Sequence, residues 1–294
     1  MKKNLFICTD LDRTLIPNGA EPESSQAPKL FQRLVQQPWV TLAYVSGRDA
    51  SLVQDAIQQF QLPWPDYVIS DVGTGLYQLS EPQDNTNTYK WQPNMAWQTA
   101  ISVDWNGRSN KEIRTLLQDL SVLTIQEESR QGQYKLSYYI DSDGPVAKEQ
   151  DELEKKIRQR LNQAGIKANL IWSHDDVEKV GLLDILPASA SKLHAIEALM
   201  AQLGFSVNDT VFCGDSGNDM EVLTSCIPSV LVGNSQPEVK ILASEEAQRN
   251  SYANALYIAS GEFMNMNGNY SAGMLEGIAH YHPAVQTWLQ EVIS

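Results

Sequence analysis

The sequence predicts an α/β fold, in which a parallel sheet is covered by helices and a smaller α+β module is inserted into it. Short apolar runs near both ends of the chain stop at turn residues and are followed by helical patterns. These runs lack polar alternation, which is typical of strands buried on both faces of a sheet. The middle of the chain differs, with polar connections and a charged helix.

Composition limits the classes of function. The 294 residues include 42% hydrophobic residues, enough for a substantial core. A formal net charge of −14 argues against a broad nucleic-acid or acidic-membrane surface, because phosphate backbones require clustered Lys and Arg. The three cysteines are unpatterned, which favours a reducing compartment. The apolar stretch before Asp10 is too short for a signal peptide or a membrane span, so we expect a cytoplasmic monomer with small-molecule partners.

The predicted elements of the sheet module follow one scheme of strand, turn and helix. In the first half, residues 4–9 form a strand, "APKLFQRLVQQ" has helical spacing, "WVTLAYV" is a second strand, and "SGRDASLVQDAIQQF" is a turn and a helix. In the second half, "TVFCGDSGNDMEVL" and "PSVLVGNSQPEVKIL" repeat the scheme. Functional groups of such a sheet are expected at the carboxyl ends of its strands.

The middle of the chain predicts the inserted module. It contains the strand-like "QYKLSYYID", the amphipathic helix "KEQDELEKKIRQRLNQAG" and the strand-like "ANLIWS". We therefore predict a core domain of residues 1–82 and 186–294, and an α+β domain of residues 83–185.

Carboxylates and a serine follow three of the predicted strands. Asp10 and Asp12 end the first strand, Ser46 ends the second, and Asp215 ends a later one. A parallel sheet brings these strand ends to one edge. Asp219 is four residues after Asp215 at the start of a helical pattern, so both carboxylates can project into the same crevice.

Lys192 supplies a cation for this edge. It opens the helix "KLHAIEALMAQLG", which Gly204 can cap. A lysine in the first turn of a helix opposes the macrodipole, so a functional reason for its position is indicated.

Each of these features has an ordinary structural interpretation when taken separately. A D-x-D pair can cap a turn, "GDSGND" can be a turn with a helix cap, and Lys192 can be a surface residue. Their common order, each at a strand end or a helix start, argues against those interpretations. Four converging carboxylates also repel one another unless a hard divalent cation joins them. Oxygen ligands without His or Cys favour Mg²⁺.

The motifs resemble those of a known family. "DLDRT" at Asp10 to Thr14, Ser46 in "VSGR", Lys192, and "GDSGND" at Gly214 to Asp219 are similar, in order, to the four motifs of the haloacid-dehalogenase-like phosphatases. An insert between the second and third motifs resembles the branch with a large α+β cap. Within that branch, "LAYVSGR", "KLSYYID" and "SAGMLEGIAHY" are similar to the sucrose-6-phosphate phosphatase family. The resemblance implies a Rossmann-like core and a cap that gives substrate specificity.

Phosphate-ester hydrolysis assigns different roles to the two carboxylates of the first motif. Asp10 is the expected nucleophile, since a carboxylate can attack phosphorus and form an aspartyl-phosphate. Asp12 is the expected general acid and base, with a proton affinity raised by its negative neighbours. Ser46 would bind phosphoryl oxygens, and Lys192 with Mg²⁺ would offset their charge.

The resemblance also implies binding residues. A metal would be bound by Asp215, an Asp10 oxygen and the Asp12 carbonyl, with Gly47, Asn218 and Asp219 supporting the phosphate or the metal. Lys135, Ser137, Tyr138 and Asp184 are the implied substrate contacts in the cap.

Three hypotheses for the function stay open. The first is a Mg²⁺-dependent sucrose-6-phosphate phosphatase. The second is a phosphatase for a related phosphate, such as that of glucosylglycerol, mannosylfructose or trehalose. The third is a silent phosphatase-like domain that binds a sugar-phosphate synthase, which the intact charged cluster disfavours, because a purely binding domain has no need for it.

Overall fold

A computed structural model describes residues 5–80, 89–140, 147–175 and 180–293. The strands in these ranges are β1 Leu5–Thr9, β2 Val40–Val45, β3 Tyr67–Ser70, β4 Gly75–Ser80, β5 Lys90–Pro93, β6 Leu123–Ile125, β7 Leu136–Ile140, β8 Ala168–Asp175, β9 Val180–Pro187, β10 Thr210–Gly214, β11 Ser229–Leu231 and β12 Leu256–Ile258. The helices are α1 Ala27–Val35, α2 Ala50–Gln59, α3 Met95–Ser102, α4 Asn110–Leu117, α5 Ala147–Gln163, α6 Lys192–Leu203, α7 Met220–Leu223, α8 Pro237–Arg249, α9 Tyr270–Tyr281 and α10 Pro283–Ile293. None of these helices is long and apolar enough to span a membrane.

The larger sheet has the strand order β12-β11-β10-β1-β2-β3-β4-β5. Its strands from β12 to β3 pair in parallel, and β4 and β5 add an antiparallel edge. Side chains of β1 alternate between two cores: Ile7 packs among residues of α1 and α9, and Phe6 packs on the opposite face with α6. Burial on both faces explains the continuous apolar runs, and the predicted α/β fold is confirmed.

The smaller sheet is antiparallel, with the order β6-β7-β9-β8. Helices α4 and α5 cover one of its faces, where Ile113 and Ile157 pack against Leu136 and Leu183. A sheet with helices on one face is the α+β arrangement that the sequence predicted for the middle of the chain.

The boundary between the two modules stays a proposal, and the pairing of β5 bears on it. Strand β5 falls within the range 83–185 predicted for the inserted module, yet it pairs with β4 in the larger sheet. Trp97 and Ile101 of α3 also pack in the core beneath that sheet. These contacts favour a boundary after α3 rather than at residue 83. We call the residues from 103 to 185, which build the smaller sheet and its helices, the cap.

Helix α9 approaches β11 closely because Gly277 has no side chain. A Cβ atom at position 277 would lie 2.3 Å from Cγ2 and 2.5 Å from Cγ1 of Val230, a buried residue of β11. Neither the strand nor the helix can move aside without disturbing the core.

We predict that Gly277→Ala destabilises the protein, although alanine is the better helix former. Overpacking of this kind costs about 1–3 kcal/mol, which exceeds the gain of about 1 kcal/mol in helix propensity. Chemical denaturation of Gly277→Ala, Val230→Ala and the double variant tests this. The double variant should recover part of the loss, because Val230→Ala makes room for the new methyl group; strictly additive effects would contradict the proposed clash.

Candidate active site

The parallel register places the predicted catalytic residues at one edge of the larger sheet. Thr9 of β1 pairs with Cys213 of β10 on one side and Tyr44 of β2 on the other. Asp10, Ser46 and Asp215 follow the ends of these strands and are buried. The Asp10 N–H donates to the Cys213 carbonyl at 2.9 Å, which continues the strand pairing as far as the site.

Lys192 lies at the centre of the cluster. Its Nζ is 3.0 Å from Asp10 Oδ1, 2.6 Å from Asp219 Oδ1 and 3.2 Å from Asn218 Oδ1. The lysine side chain is 1% exposed. Ser191 caps α6 by accepting a hydrogen bond from the His194 N–H, so the helix begins where Lys192 can reach the strand ends. The ammonium therefore joins the first and last motifs of the chain.

Asp219 uses both of its carboxylate oxygens. Oδ1 accepts from Lys192, and Oδ2 accepts from the N–H groups of Asp215 and Ser216 at 3.1 and 3.3 Å. Gly214 is required beside it, because a Cβ there would lie 2.6 Å from Asp219 Oδ2. The "GDSGND" motif thus holds Asp219 against Lys192.

The carboxylate of Asp12 is bound by Arg48, a residue that was not among the predicted site residues. Arg48 donates from Nε and Nη2 to the two Asp12 oxygens at 2.7 and 2.6 Å, and Asn18 donates to Oδ1 at 2.8 Å. Burial favours the protonated carboxyl, but these hydrogen bonds and the Arg48 charge outweigh it and hold the pKa of Asp12 below its usual value. The expectation of a raised proton affinity is therefore wrong for this state, because the partner is a bidentate cation.

Ser46 and Gly47 form the turn between β2 and α2. Ser46 Oγ accepts from the Arg48 N–H at 3.2 Å, and the Ser46 carbonyl accepts from the Val72 N–H at 3.1 Å. A Cβ on Gly47 would come no closer than 3.9 Å to Val72, so this glycine leaves open space at the edge of the site.

The remaining carboxylates form a cluster suited to a cation. Asp10, Asp215 and Asp219 each offer an oxygen within 4.8 Å of one another. Burial, together with neighbouring carboxylates, raises the pKa of Asp10 to about 7 and that of Asp215 to about 6, in spite of Lys192. A hard divalent cation fits this all-oxygen set and would relieve the excess negative charge.

The expected ligand set of Asp215, an Asp10 oxygen and the Asp12 carbonyl stays a proposal. The carboxylate of Asp12 is bound to Arg48, which leaves the Asp12 backbone carbonyl as the group that the family resemblance implied. Both oxygens of Asp219 are already bonded within the protein, which makes Asp10 and Asp215 the better side-chain ligands.

A cavity of about 270 Å³ opens on these residues. Its lining comprises Asp10, Asp12, Arg13, Ser46, Gly47, Arg48, Leu52, Arg130, Asp215, Ser216 and Asn218. Sequence reasoning gave no role to the three arginines of this set. Arg13 and Arg48 lie inside quoted motifs, and only the structure shows that Arg13 Nε is 3.2 Å from Asp215 Oδ2. Nothing in the sequence around Arg130 pointed to the site.

Three of the expected substrate contacts lie together where the cap meets the core. Lys135 Nζ donates to Asp71 Oδ1 at 3.0 Å and lies 3.9 Å from Asp184 Oδ2. Ser137 Oγ donates to Asp184 Oδ1 at 2.5 Å. Lys135 is buried, and its ion pair with Asp71, which follows β3, ties the cap to the core.

Tyr138 is the expected contact that the structure separates from the others. Strand alternation turns Lys135 and Ser137 to one face of the smaller sheet and Leu136 and Tyr138 to the other. Tyr138 is buried among the apolar residues of the cap core. We therefore do not propose it as a substrate contact.

The known proteins that this chain matches point to one family. A family model described as sucrose-6F-phosphate phosphohydrolase matches residues 3–282. A haloacid-dehalogenase-like hydrolase of Nitrosococcus oceani is 45% identical over 293 residues, covering 99% of this chain and 75% of that protein. The mannosylfructose-phosphate phosphatase of Agrobacterium fabrum is 27% identical over 286 residues, covering 96% of this chain and 98% of that protein.

Solved structures show the same fold. The sucrose-phosphatase of Synechocystis sp. PCC6803, determined in complex with sucrose and phosphate, superposes with a TM-score of 0.69 at 23% sequence identity. The match covers 95% of this chain and 98% of that one. The similarity that the motifs indicated is thereby confirmed for the family and the fold.

We predict that the metal-free protein loses stability as the pH rises from about 4 to about 7. The folded-state pKa values of Asp10 and Asp215 rise from 3.8 to about 7 and about 6, so these groups bind protons that the unfolded chain has released. Their stabilising effect is complete below the unfolded-state pKa of 3.8 and is lost as the pH rises through the folded-state pKa values of about 6 and about 7. Calorimetry with and without Mg²⁺ measures this: Mg²⁺ should raise the melting temperature strongly at about pH 8 and little at about pH 4.

Asp10→Asn is the matched variant for that experiment. Without metal at high pH it should be at least as stable as the wild type, because it removes a charge that the site disfavours. It should also lose most of the stabilisation by Mg²⁺. Equal stabilisation by Mg²⁺ at both pH values in the wild type would contradict the proposed carboxylate site.

Proposed function

The chain belongs to the sucrose-6F-phosphate phosphohydrolase family, and on that premise we propose that it is a Mg²⁺-dependent phosphatase that hydrolyses sucrose 6-phosphate to sucrose and phosphate. The observation that carries this proposal is the geometry at Asp10. Its Oδ1 is held by Lys192, while its Oδ2 accepts no hydrogen bond from the residues that the structure describes. Lys192 thus fixes the carboxylate through Oδ1, and Oδ2 is available as a nucleophile at the cavity.

Two displacement steps at phosphorus account for the reaction. In the first, an Asp10 oxygen bonds to phosphorus, the bond from phosphorus to the sugar oxygen breaks, and Asp12 gives that oxygen its proton. In the second, water bonds to phosphorus, Asp12 takes the proton from that water, and the bond to Asp10 breaks to release phosphate. Ser46 and Lys192 bind the phosphoryl oxygens, and Mg²⁺ held by Asp10, Asp215 and the Asp12 carbonyl would supply further positive charge.

Arg48 adjusts Asp12 for these two roles. The two guanidinium donors on the Asp12 oxygens favour the ionised carboxylate, which is the form that the second step needs. The first step needs the protonated form. A phosphate dianion bound beside Asp12 raises its proton affinity and offsets the effect of Arg48.

The choice of sugar rests on the family model and on the cap. Sucrose is supported by the family description, and by the Synechocystis structure, whose ligands are sucrose and phosphate. Mannosylfructose phosphate is the second candidate, because the Agrobacterium fabrum phosphatase matches over nearly its full length. Lys135, Ser137 and Asp184 are the cap residues that we propose to read the sugar, since ammonium, hydroxyl and carboxylate groups all hydrogen-bond to sugar hydroxyls.

The hypothesis of a silent domain is disfavoured by the intact cluster. Burying Lys192 with two carboxylates costs free energy, and a purely binding surface gains nothing from that arrangement. A reducing, cytoplasmic location stays our expectation, because Cys8, Cys213 and Cys226 have no disulfide pattern in the sequence.

We predict that Asp10→Asn abolishes phosphate release from sucrose 6-phosphate, because an amide cannot act as the nucleophile. Activity within about tenfold of the wild type, a loss of roughly 1.4 kcal/mol in transition-state stabilisation, would exclude the covalent route. Asp151→Asn, a change at an exposed carboxylate of α5, is the control and should leave turnover unaltered. Circular dichroism of both variants checks that the fold is intact.

A separate prediction tests how the cap reads the sugar. Lys135→Ala should weaken catalysis on sucrose 6-phosphate by about 10- to 100-fold, since a charged hydrogen bond is worth about 1.5–3 kcal/mol. Hydrolysis of p-nitrophenyl phosphate, which has no sugar, should hardly change. Steady-state kinetics on both substrates measures the difference.

Asp71→Asn is the control for that substitution, because it weakens the ion pair between cap and core while keeping the lysine. It should leave the preference between the two substrates intact. If both variants lowered both activities equally, Lys135 would act through cap stability, and its proposed role in reading the sugar would fail.

A further inference from the structure

Arg130 is a residue of the cap that lines the catalytic cavity. It ends the short 3₁₀ turn Glu128–Arg130, between β6 and β7 of the smaller sheet. The other lining residues belong to the core: Leu52 lies in α2, and the rest lie at strand ends and turns of the larger sheet. The cap thus contributes one residue, an arginine, to a cavity otherwise lined by the core.

The backbone at Arg130 is held by a defined set of hydrogen bonds. Its N–H donates to the Glu127 carbonyl at 2.8 Å. Its carbonyl lies 3.2 Å from Ser137 Oγ, the hydroxyl that also approaches Asp184. The next residue, Gln131, donates from Nε2 to the carbonyls of Gln126 and Ser137 at 3.1 and 3.0 Å and accepts from the Ser137 N–H at 2.9 Å. The turn is therefore fixed to β7.

Charge pairing distinguishes Arg130 from the other cations of the site. Lys192, Arg13 and Arg48 each bind at least one carboxylate of the site. The guanidinium of Arg130 forms no hydrogen bond or salt bridge with the residues that the structure describes. The pKa of the exposed Glu127 carboxylate is lowered mainly by hydrogen bonds and also by the Arg130 charge, an interaction that water screens. None of the described residues occupies the donors of Arg130.

We propose that Arg130 binds the phosphoryl group of the substrate from the cap side of the cavity. This inference rests on the proposed function, since it concerns the ligand of the same site. A guanidinium offers a planar fork of donors that matches two oxygens of a phosphate dianion. Lys192, Arg13 and Arg48 are each shared with carboxylates of the site, so a cation that none of the described carboxylates pairs with adds to the positive charge available to an incoming dianion. Phosphate recognition is thereby shared between core and cap.

Binding of inorganic phosphate tests this proposal without turnover. Calorimetric titration of phosphate into the Mg²⁺-loaded wild type, Arg130→Ala and Arg130→Lys gives the dissociation constants directly. Arg130→Ala should bind phosphate about 10- to 100-fold more weakly, and Arg130→Lys should keep part of the affinity, because it retains the charge but loses the fork. Arg114→Ala, which removes an exposed arginine of α4 that does not line the cavity, should bind like the wild type.

Kinetics on two substrates separates the phosphate from the sugar. Arg130→Ala should raise KM for both sucrose 6-phosphate and p-nitrophenyl phosphate, which share only the phosphoryl group. Wild-type affinity for phosphate in Arg130→Ala would overturn the inference while leaving the proposed function intact. So would a loss confined to sucrose 6-phosphate, which would assign Arg130 to the sugar. A wild-type protein that binds phosphate yet hydrolyses neither substrate would instead overturn the proposed function.

Discussion

The buried ion pairs of Lys192 are the interaction on which the rest of the site depends. Asp10 and Asp219 are removed from water at the edge of the sheet, and each would be costly to bury without a partner. One ammonium serves both carboxylates, and it can do so because α6 begins beside the ends of β1 and β10. Removing that charge would leave buried carboxylates unpaired. The position of α6 and the position of the nucleophile therefore depend on each other.

Among the described residues, the buried triad Asp10, Asp215 and Asp219 is paired with two cations, Lys192 and Arg13. Lys192 lowers the proton affinity of Asp10, yet burial and the other carboxylates raise its pKa to about 7. Such a cluster is electrostatically incomplete. The divalent cation that we propose would relieve the carboxylates, and together with the arginines it would attract a phosphate dianion.

The cap meets this core through charged side chains more than through apolar packing at the cavity. Lys135 pairs with Asp71, and Arg130 lines the cavity. Lys135 lies beside Asp184, on the face of the smaller sheet opposite the helices that bury its apolar residues. Polar contacts of this kind can be exchanged for water or ligand at little cost, which suits a module that must admit a sugar phosphate and release its products.

The amino-acid sequence by itself determined the fold class and the residues at the sheet edge. Continuous apolar runs predict strands buried on both faces, and parallel strands bring their carboxyl ends together; Asp10, Ser46 and Asp215 could therefore be placed before any coordinate was known. Only the tertiary structure decided which charges pair. Arg48 on Asp12 and Arg130 at the cavity depend on how distant segments pack, which local periodicity does not encode. The same holds for Tyr138: strand character was evident in "YKLSYYID", but which alternate side chains face the core is set by the register of β7 against β9 and by the helices that cover one face.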